Sequence, residues 1–372
     1  MLPAGRIDLY SVEGATGMTT GRDNSFGAFR LLFASLVIVS HSIEMLDGND
    51  VREPLHWLFG GLSLGALAVD GFFLISGYLI AASFISDRLG YFWKRVLRIY
   101  PAVLVCTVVC IAVVGPLAGA QLDLLGAGDW VRVVYRALLL KSPDIPGVFA
   151  GTYFGGLNGS MWSISYEFRC YIGVAVLGVL GLYRRPRLFL LLTLGVFAAM
   201  LAFNLPPLDG VRVSDRFEGM FGEPRMALRL AAAFMTGTCF KLFAKRYDGR
   251  VAALCGVAAM ALQFVPLLAE PALIALGGYA LFWAVFQWNW KFLRTLNAKD
   301  DISYGVYLYA WPIGGLLIWY WRDVPLPVLM LLTLLGSLAF GAVSWFLLEK
   351  PALRLKSLRL RSARAAAPLK TS

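Results

Sequence analysis

Charged residues are scarce in this chain: Asp, Glu, Lys and Arg together make up 15% of its 372 residues, whereas hydrophobic residues make up 59%. A soluble globular protein has about a quarter of its residues charged, so this composition excludes that class. Repeated apolar stretches of about 20 residues have the length at which a helix crosses a bilayer. The sequence therefore predicts an all-α integral membrane protein.

Histidine and cysteine are also few, with two and five residues respectively. Cys106 and Cys110 share a helix face but have no His or carboxylate beside them, so we expect core thiols and no metal site. Histidine chemistry is restricted to His41 and His56, and His56 falls in a loop where a surface role is expected. The sequence has no internal repeat and no matching pair of broken helices, which are features of many transporters.

Ten apolar runs are long enough to be membrane helices, and we predict a bundle of about ten transmembrane helices. They cover residues 26–44, 61–85, 99–119, 161–182, 187–205, 226–244, 251–269, 271–288, 303–321 and 326–348. The predicted membrane domain, 26–350, follows a polar segment, 1–25, which lacks the apolar core of a signal peptide. A basic tail, 351–372, follows the domain.

The net charge of +11 would favour a nucleic-acid partner if the protein were soluble. The basic residues gather instead in alternate loops, at 88–98, 184–187, 241–250, 291–299 and 350–364, and the intervening loops are acidic or balanced. By the positive-inside rule, both termini lie in the cytoplasm, and an even number of spans agrees with this. We therefore expect a lipid bilayer, and no nucleic acid, as partner.

The first run, 26–44, carries three ionisable residues: Arg30, His41 and Glu44. Arg30 and His41 are eleven positions apart. At about 100° per residue this separation is about 20° more than three full turns, so their side chains share one helix face. Glu44 follows His41 one turn later. The axial separation of Arg30 and His41 is about 16 Å, with Arg30 nearer the cytoplasm. Ionisable groups in a membrane are functional candidates, although a lone histidine there can also be structural.

Two further motifs each have a chemical and a structural interpretation. Asp70 lies within an apolar run and needs a partner, for which Arg30 and Arg98 are candidates. Ser76, with the glycine after it, fits close helix packing. Arg95 and Arg98 lie one turn apart and form a fork suited to phosphate. Alternatively, they anchor their span on the cytoplasmic side.

The fourth run opens with Trp-Ser-Ile-Ser-Tyr-Glu, and Glu167 is its acidic residue. We expect Glu167 at a depth comparable with His41, where it could orient the imidazole or balance its charge. The alternative is an ion pair with Arg169 or with a neighbouring helix. The sequence leaves both open.

Hydroxyl and aromatic groups complete the candidate set. Ser163 and Ser165 are weak candidates for an acyl nucleophile, because each would need a base in contact and bonding to its own helix is commoner. Aromatic belts at the membrane interface explain much of the motif around Tyr304. None of these residues identifies a reaction by itself.

Together these motifs occur in one order, and the chain resembles the membrane acyltransferase-3 family, bacterial enzymes that O-acylate cell-surface glycans and related molecules. The resemblance covers about residues 24–355. It rests on Arg30, His41, Phe72, Phe73, Ser76, Gly77, Arg95, Arg98, Pro101, Trp162, Ser163, Ser165, Glu167, Ser303, Tyr304, Tyr307, Leu308, Glu349 and Pro351.

The resemblance implies roles for these positions. His41 matches the family's essential histidine, Arg30 matches its partner arginine, and Glu167 matches the acidic residue of its motif. Arg95 and Arg98 match the pair associated with the acyl-CoA donor. The supporting residues are Asp70, Ser76, Glu44, Trp162, Ser163 and Tyr304.

The function implied is a multi-pass O-acyltransferase of the bacterial cytoplasmic (inner) membrane. It would move an acyl group, acetyl above all, from cytoplasmic acyl-CoA to a hydroxyl of a polysaccharide or lipid-linked sugar, with no bound cofactor. His41 would act as general base or accept the acyl group itself. The oligomeric state, a homodimer included, is left open.

The rival function is a proton-coupled transporter or flippase. Intramembrane Asp70, His41, Glu167 and Arg30 would also suit a proton relay. An enzyme consumes acyl-CoA in detergent without any gradient, whereas a transporter does not.

Overall fold

The computed structural model describes residues 24–205, 222–244, 246–288 and 290–356. Within these ranges the regular secondary structure is helical and no strand is formed, which confirms the all-α class. Most of the N-terminal segment, 1–25, and most of the basic tail, 351–372, lie outside the described residues, so neither expectation is tested.

The helices of the described ranges are numbered here in chain order. They are α1 (Phe26–Asp47), α2 (Pro54–Phe59), α3 (Leu64–Ser86), α4 (Tyr91–Leu117), α5 (Ala127–Leu138), α6 (Trp162–Val179), α7 (Pro186–Ala202), α8 (Pro224–Phe243), α9 (Gly249–Phe264), α10 (Pro266–Gln287), α11 (Lys291–Thr295), α12 (Ser303–Tyr320) and α13 (Leu326–Arg354).

Each of the ten predicted apolar runs forms a helix. Six helices of the described ranges are long and apolar enough to cross a membrane, namely α1, α3, α4, α8, α10 and α13. These helices make the protein a multi-pass membrane protein. The number of ten spans and the cytoplasmic termini stay predictions. Helix α12 is less apolar than these six helices. Most of its residues are buried against other helices, where polar and aromatic side chains can be accommodated.

Helices α3 and α8 approach each other closely at two glycines. A Cβ atom on Gly77 would lie 1.9 Å from the Phe234 carbonyl oxygen, and one on Gly237 would lie 2.0 Å from the Leu74 carbonyl oxygen. Only glycine fits at both positions, because the atoms in the way belong to the backbone. Gly77 therefore serves close helix packing, as its place in the sequence predicted.

Pro351 does not end helix α13. The helix continues to Arg354, and its turn Trp345–Glu349 is π-helical. Pro351 comes two residues after this wider turn, in which the regular hydrogen-bond pattern of the α-helix is already interrupted. The N–H that proline lacks is therefore not needed there, and the chain remains helical. The π-helical turn carries Glu349 into the bundle, where this carboxylate is 1% exposed.

Candidate active site

His41 is held by the carboxylate one turn further along α1. Its Nδ1 atom lies 3.0 Å from Oε2 of Glu44. The ring also packs edge-on against Trp311, with centroids 5.1 Å apart. Because a carboxylate only accepts, this pair places a proton on Nδ1 and leaves Nε2 of the neutral ring as a proton acceptor. The arrangement is that of a histidine base with an orienting carboxylate.

His41 opens onto a cavity of about 250 Å³, which we call the histidine cavity. Its walls combine hydroxyl groups, charged side chains and the indole of Trp162, which is 36% exposed. The lining residues are Val37, Ser40, His41, Glu44, Ser63, Gly65, Ala66, Val69, Asp70, Trp162, Met226, Arg229 and Leu230. Such a mixture of hydrogen-bonding groups and one aromatic face suits a hydroxylated ligand.

The partner of Asp70 is Arg229. The sequence suggested Arg30 or Arg98, and this prediction is wrong. Nε and one terminal nitrogen of Arg229 donate to the two carboxylate oxygens of Asp70, at 3.1 and 2.8 Å. The other terminal nitrogen of Arg229 lies 3.3 Å from Glu270. The expectation failed because α8, which carries Arg229, packs along α3, a pairing that the order of motifs does not reveal.

Arg30 and Arg98 instead share the carboxylate of Asp301. Arg30 bonds to its Oδ2, and Arg98 donates to the same oxygen at 3.0 Å. Arg98 also lies 3.2 Å from the buried carboxylate of Glu349. Two cations and two anions therefore join α1, α4, α13 and the segment before α12. The sequence pattern did not indicate Asp301 as a site residue.

Asp301 lies outside the membrane helices and stays ionised in this cluster. Burial acts to raise its pKa, but the charges of Arg30 and Arg98 and the hydrogen bonds from Ser303 and Asn297 outweigh burial. The pKa of Asp301 is thereby lowered to about 2. Its negative charge is fixed at neutral pH.

A second cavity, of about 440 Å³, lies beside this cluster. It is lined by Lys94, Arg95, Arg98, Asp301, Trp345, Leu353 and Lys356, and we call it the cationic cavity. Its basic residues are not equivalent. Lys94 pairs with Asp87 at 2.6 Å, and Arg98 is paired with two carboxylates. Arg95 lies over the Tyr171 ring at 5.8 Å, and no carboxylate of the described ranges is paired with it. Arg95 is therefore the better candidate for holding an anionic ligand.

A third cavity, the central cavity, measures about 40 Å³. It is lined by Arg30, Val69, Phe72, Phe73, Ser76, Ser163, Ile164, Glu167, Ser303, Tyr304 and Tyr307. Val69 also lines the histidine cavity, and Asp301 of the cationic cavity bonds to Arg30. The three cavities therefore form a series, with the cationic and histidine cavities at its two ends.

Glu167 belongs to the central cavity. It does not hold the imidazole of His41, which was one of the two arrangements that the sequence left open. Its Oε1 atom accepts hydrogen bonds from the Ser76 hydroxyl at 2.8 Å and from the Tyr171 hydroxyl at 2.6 Å. Glu44 occupies the place beside His41 instead. The expectation failed because Glu167 lies one turn into α6, and this turn carries it towards the level of Arg30.

The hydroxyl groups of the site are mostly engaged. Ser163 shares a 2.7 Å hydrogen bond with the Tyr307 hydroxyl, whereas Ser165 bonds to the Trp162 carbonyl of its own helix at 3.0 Å. Neither serine contacts a base, so no nucleophilic serine is assembled. The hydroxyl of Tyr304 is buried and has no hydrogen-bond partner in the described part of the chain.

Comparison with known proteins decides the class. A family model described as an acyltransferase domain, that of the acyltransferase-3 family, matches residues 23–349. The chain belongs to this family. It is therefore an enzyme that transfers acyl groups other than amino-acyl groups.

Several relatives of this acyltransferase are known. An O-acetyl transferase of Shigella phage Sf6 is 29% identical over 354 residues, which cover 91% of this chain and 98% of the phage protein. Nodulation protein 10 of Rhizobium leguminosarum bv. viciae is 26% identical, covering 91% of this chain and 95% of that protein. Acyltransferase MdmB of Streptomyces mycarofaciens is 34% identical over 114 residues, which cover 30% of this chain and 27% of the Streptomyces protein. No solved structure matches the acyltransferase significantly.

The acyltransferase offers a base at one end of its cavity series and cations at the other. Among the described residues, no group of three or more His, Cys, Asp and Glu side chains is placed to hold a metal ion. Cys106 and Cys110 are buried, and the Asn158 amide lies 3.5 and 3.9 Å from their sulfur atoms. A neutral imidazole that is held by a carboxylate at Nδ1 is an arrangement that can accept a proton at Nε2.

Proposed function

We propose that this acyltransferase moves an acetyl group from acetyl-CoA to a hydroxyl of a cell-surface polysaccharide or lipid-linked sugar. The protein acts in the bacterial cytoplasmic membrane, with both termini in the cytoplasm. The relative from Shigella phage Sf6 is an O-acetyl transferase and matches over nearly its whole length, which supports the acetyl group and the hydroxyl acceptor. The alternating basic loops support the orientation.

The observation that carries the proposal is the separation between the cationic end of the site and His41. Arg30, which shares Asp301 with Arg98 of the cationic cavity, and His41 are about 16 Å apart along α1. The pantetheine arm of CoA has about thirteen bonds between phosphorus and sulfur, slightly more than four residues have, and extends about 15 Å. The two lengths are similar, so a donor whose phosphates lie on the Arg30 side of the site can bring its thioester towards His41.

In this arrangement Arg95 and Lys356 bind the phosphates of the donor. Arg95 is the better placed of the two original candidate arginines, because the charge of Arg98 is already matched by Asp301 and Glu349. Arg98 then shapes the cavity, and Arg30 lines the passage that the arm follows. The acceptor enters the histidine cavity, beside Trp162 and the hydroxyl groups of Ser40 and Ser63.

The transfer step uses the free nitrogen of His41. The acceptor oxygen bonds to the thioester carbonyl carbon while its proton passes to Nε2. The carbon–sulfur bond then breaks, and the imidazolium returns the proton to the leaving thiolate. Glu44 stabilises the charged ring through Nδ1. In a second version, Nε2 attacks the thioester first and expels the CoA thiolate, which leaves an acyl-histidine. The acceptor oxygen then displaces the imidazole from the acetyl carbon, and the proton of the acceptor hydroxyl passes to the thiolate.

The test compares the wild-type protein with His41→Ala and with His56→Ala, the matched control in the short helix α2. Cleavage of radiolabelled acetyl-CoA by purified protein is measured together with O-acetylation of surface glycan in cells. We expect wild type and His56→Ala to be active and folded His41→Ala to be inactive in both assays. A fully active His41→Ala protein would overturn the catalytic assignment. If wild type cleaves no acetyl-CoA and glycan acetylation does not depend on the gene, the proposed donor and acceptor are both wrong.

A further inference from the structure

Glu167 presents one unused oxygen to the central cavity. Both of its hydrogen bonds, from Ser76 and Tyr171, arrive at Oε1, and both donors are neutral hydroxyls. Oε2 receives no hydrogen bond from the residues that the structure describes. A carboxylate oxygen in this position has the capacity to accept an N–H or O–H donor from a bound molecule.

Tyr304 supplies the complementary group in the same cavity. Its side chain lines the cavity and is 8% exposed, and its hydroxyl is buried without a partner within the described ranges. Buried hydroxyl groups are nearly always hydrogen-bonded in folded proteins, so an unpaired one needs an explanation. A ligand that offers an acceptor oxygen would provide the missing partner.

One acceptor and one donor in a narrow cavity match a secondary amide, which has one N–H and one C=O. The remaining walls, formed by Val69, Phe72, Phe73 and Ile164, are apolar and suit methylene groups. We propose that the central cavity binds an amide of the donor's pantetheine arm, with Oε2 of Glu167 accepting its N–H and the Tyr304 hydroxyl donating to its C=O. This inference rests on the proposed function, since pantetheine carries two such amides.

The position of the cavity agrees with this assignment. It lies between the cationic cavity, where the phosphates bind, and the histidine cavity, where the thioester reacts. Its volume, about 40 Å³, is the smallest of the three cavities and makes it the narrow part of the series. Rotation of lining side chains such as Phe72 and Tyr304 would widen it for the arm, as happens commonly when ligands bind. Glu167 is thus a donor-binding residue and not the partner of the catalytic base.

The test measures two ligands on the full-length protein in detergent. CoA has the pantetheine arm, whereas adenosine 3′,5′-bisphosphate has phosphates for the cationic cavity but no arm. We expect Glu167→Leu and Tyr304→Phe each to weaken CoA binding about tenfold and to leave binding of adenosine 3′,5′-bisphosphate within about twofold. Glu167→Gln keeps an acceptor oxygen and should restore most CoA binding. Tyr320→Phe, on the same helix but with its hydroxyl bonded to Leu117, is the matched control and should bind both ligands normally.

Catalysis provides the second readout. For acetyl-CoA, Glu167→Leu and Tyr304→Phe should raise KM with kcat within a few-fold of wild type. Unchanged CoA binding in both variants would overturn the inference, as would a Glu167→Gln protein that binds CoA but has no kcat. Equal weakening of both ligands would indicate a general loss of structure and would also count against it. If wild type neither binds CoA nor cleaves acetyl-CoA, the proposed function itself fails, which is a different outcome from these.

Discussion

The guanidinium group of Arg229 holds the carboxylate of Asp70 through two hydrogen bonds, of 3.1 and 2.8 Å, between α8 and α3. Asp70 is 1% exposed, so its charge has no access to water and depends on this partner. The pair also forms part of the wall beside His41. It therefore links the packing of two membrane helices to the shape of the histidine cavity.

Arg229→Ala should destabilise the protein strongly, because it leaves the Asp70 charge buried and unpaired. Removing one partner of a buried ion pair costs about 3–5 kcal/mol. The double variant Asp70→Ala/Arg229→Ala should recover part of this loss, since neither charge then remains. Thermal unfolding in detergent measures both. A double variant no more stable than Arg229→Ala would contradict the pairing.

Arg95 and Arg98 should respond differently to the same substitution. Arg95→Ala should leave thermal stability near that of wild type and raise the KM for acetyl-CoA, because Arg95 has no carboxylate partner in the described ranges. Arg98→Ala should lower stability by about 3–5 kcal/mol, because the Glu349 charge, 1% exposed, loses its partner. Melting temperature and KM, determined on the same preparations, separate the two roles. Two variants with identical profiles would show that the arginines act as one fork.

Glu44→Ala should slow the reaction without removing the base. Loss of a general base costs about 10²–10⁴-fold in rate, and His41→Ala should fall in this range. Glu44 only orients the ring and is 52% exposed on its side chain, so the effect of its loss should be smaller. Glu44→Gln should be intermediate, because the amide oxygen still accepts from Nδ1. The kcat values of the three variants provide the check, and a Glu44→Ala rate equal to wild type would exclude the orienting role.

Acid should weaken the Asp301 cluster in a defined pH range. The pKa of Asp301 falls from its ordinary value of 3.8 to about 2 in the folded protein. A lowered pKa means that the ionised carboxylate stabilises the fold above pH 3.8 and that this contribution is lost as pH falls towards 2. A shift of this size corresponds to about 2 kcal/mol.

Asp301→Asn isolates this contribution. At pH 7 the variant should be less stable than wild type, and the difference should shrink between pH 4 and pH 2, as the wild-type carboxylate also becomes neutral. Thermal unfolding across pH 2–7 provides the measurement. A constant difference down to pH 2 would show that the carboxylate is not ionised in the cluster.

The sequence predicted the fold class and the positions of the helices well, because long apolar runs and alternating basic loops follow directly from the bilayer. It also placed Arg30, His41 and Glu44 on one helix face, since helical spacing is a local property. The His41–Glu44 contact is of this local kind, because the two residues are three positions apart on one helix.

The ion-pair partners could not be predicted in the same way. For Asp70 the sequence suggested Arg30 or Arg98, and for Glu167 it left His41, Arg169 and a neighbouring helix open, because all of these residues were expected in the membrane. Whether two intramembrane charges come into contact depends on how their helices pack against each other, as α3 and α8 do at Gly77 and Gly237. Periodicity within single helices carries no information on that packing.

The Asp301 cluster also affects how the chain is made. Arg30 enters the membrane with the first helix, but Asp301 follows 271 residues later. Arg98 likewise precedes Glu349 by 251 residues. During synthesis the nascent protein therefore carries two uncompensated cations until translation is almost complete. A chain that stops before α12 leaves unpaired charge among apolar helices, the type of defect that exposes incomplete proteins to proteolytic quality control.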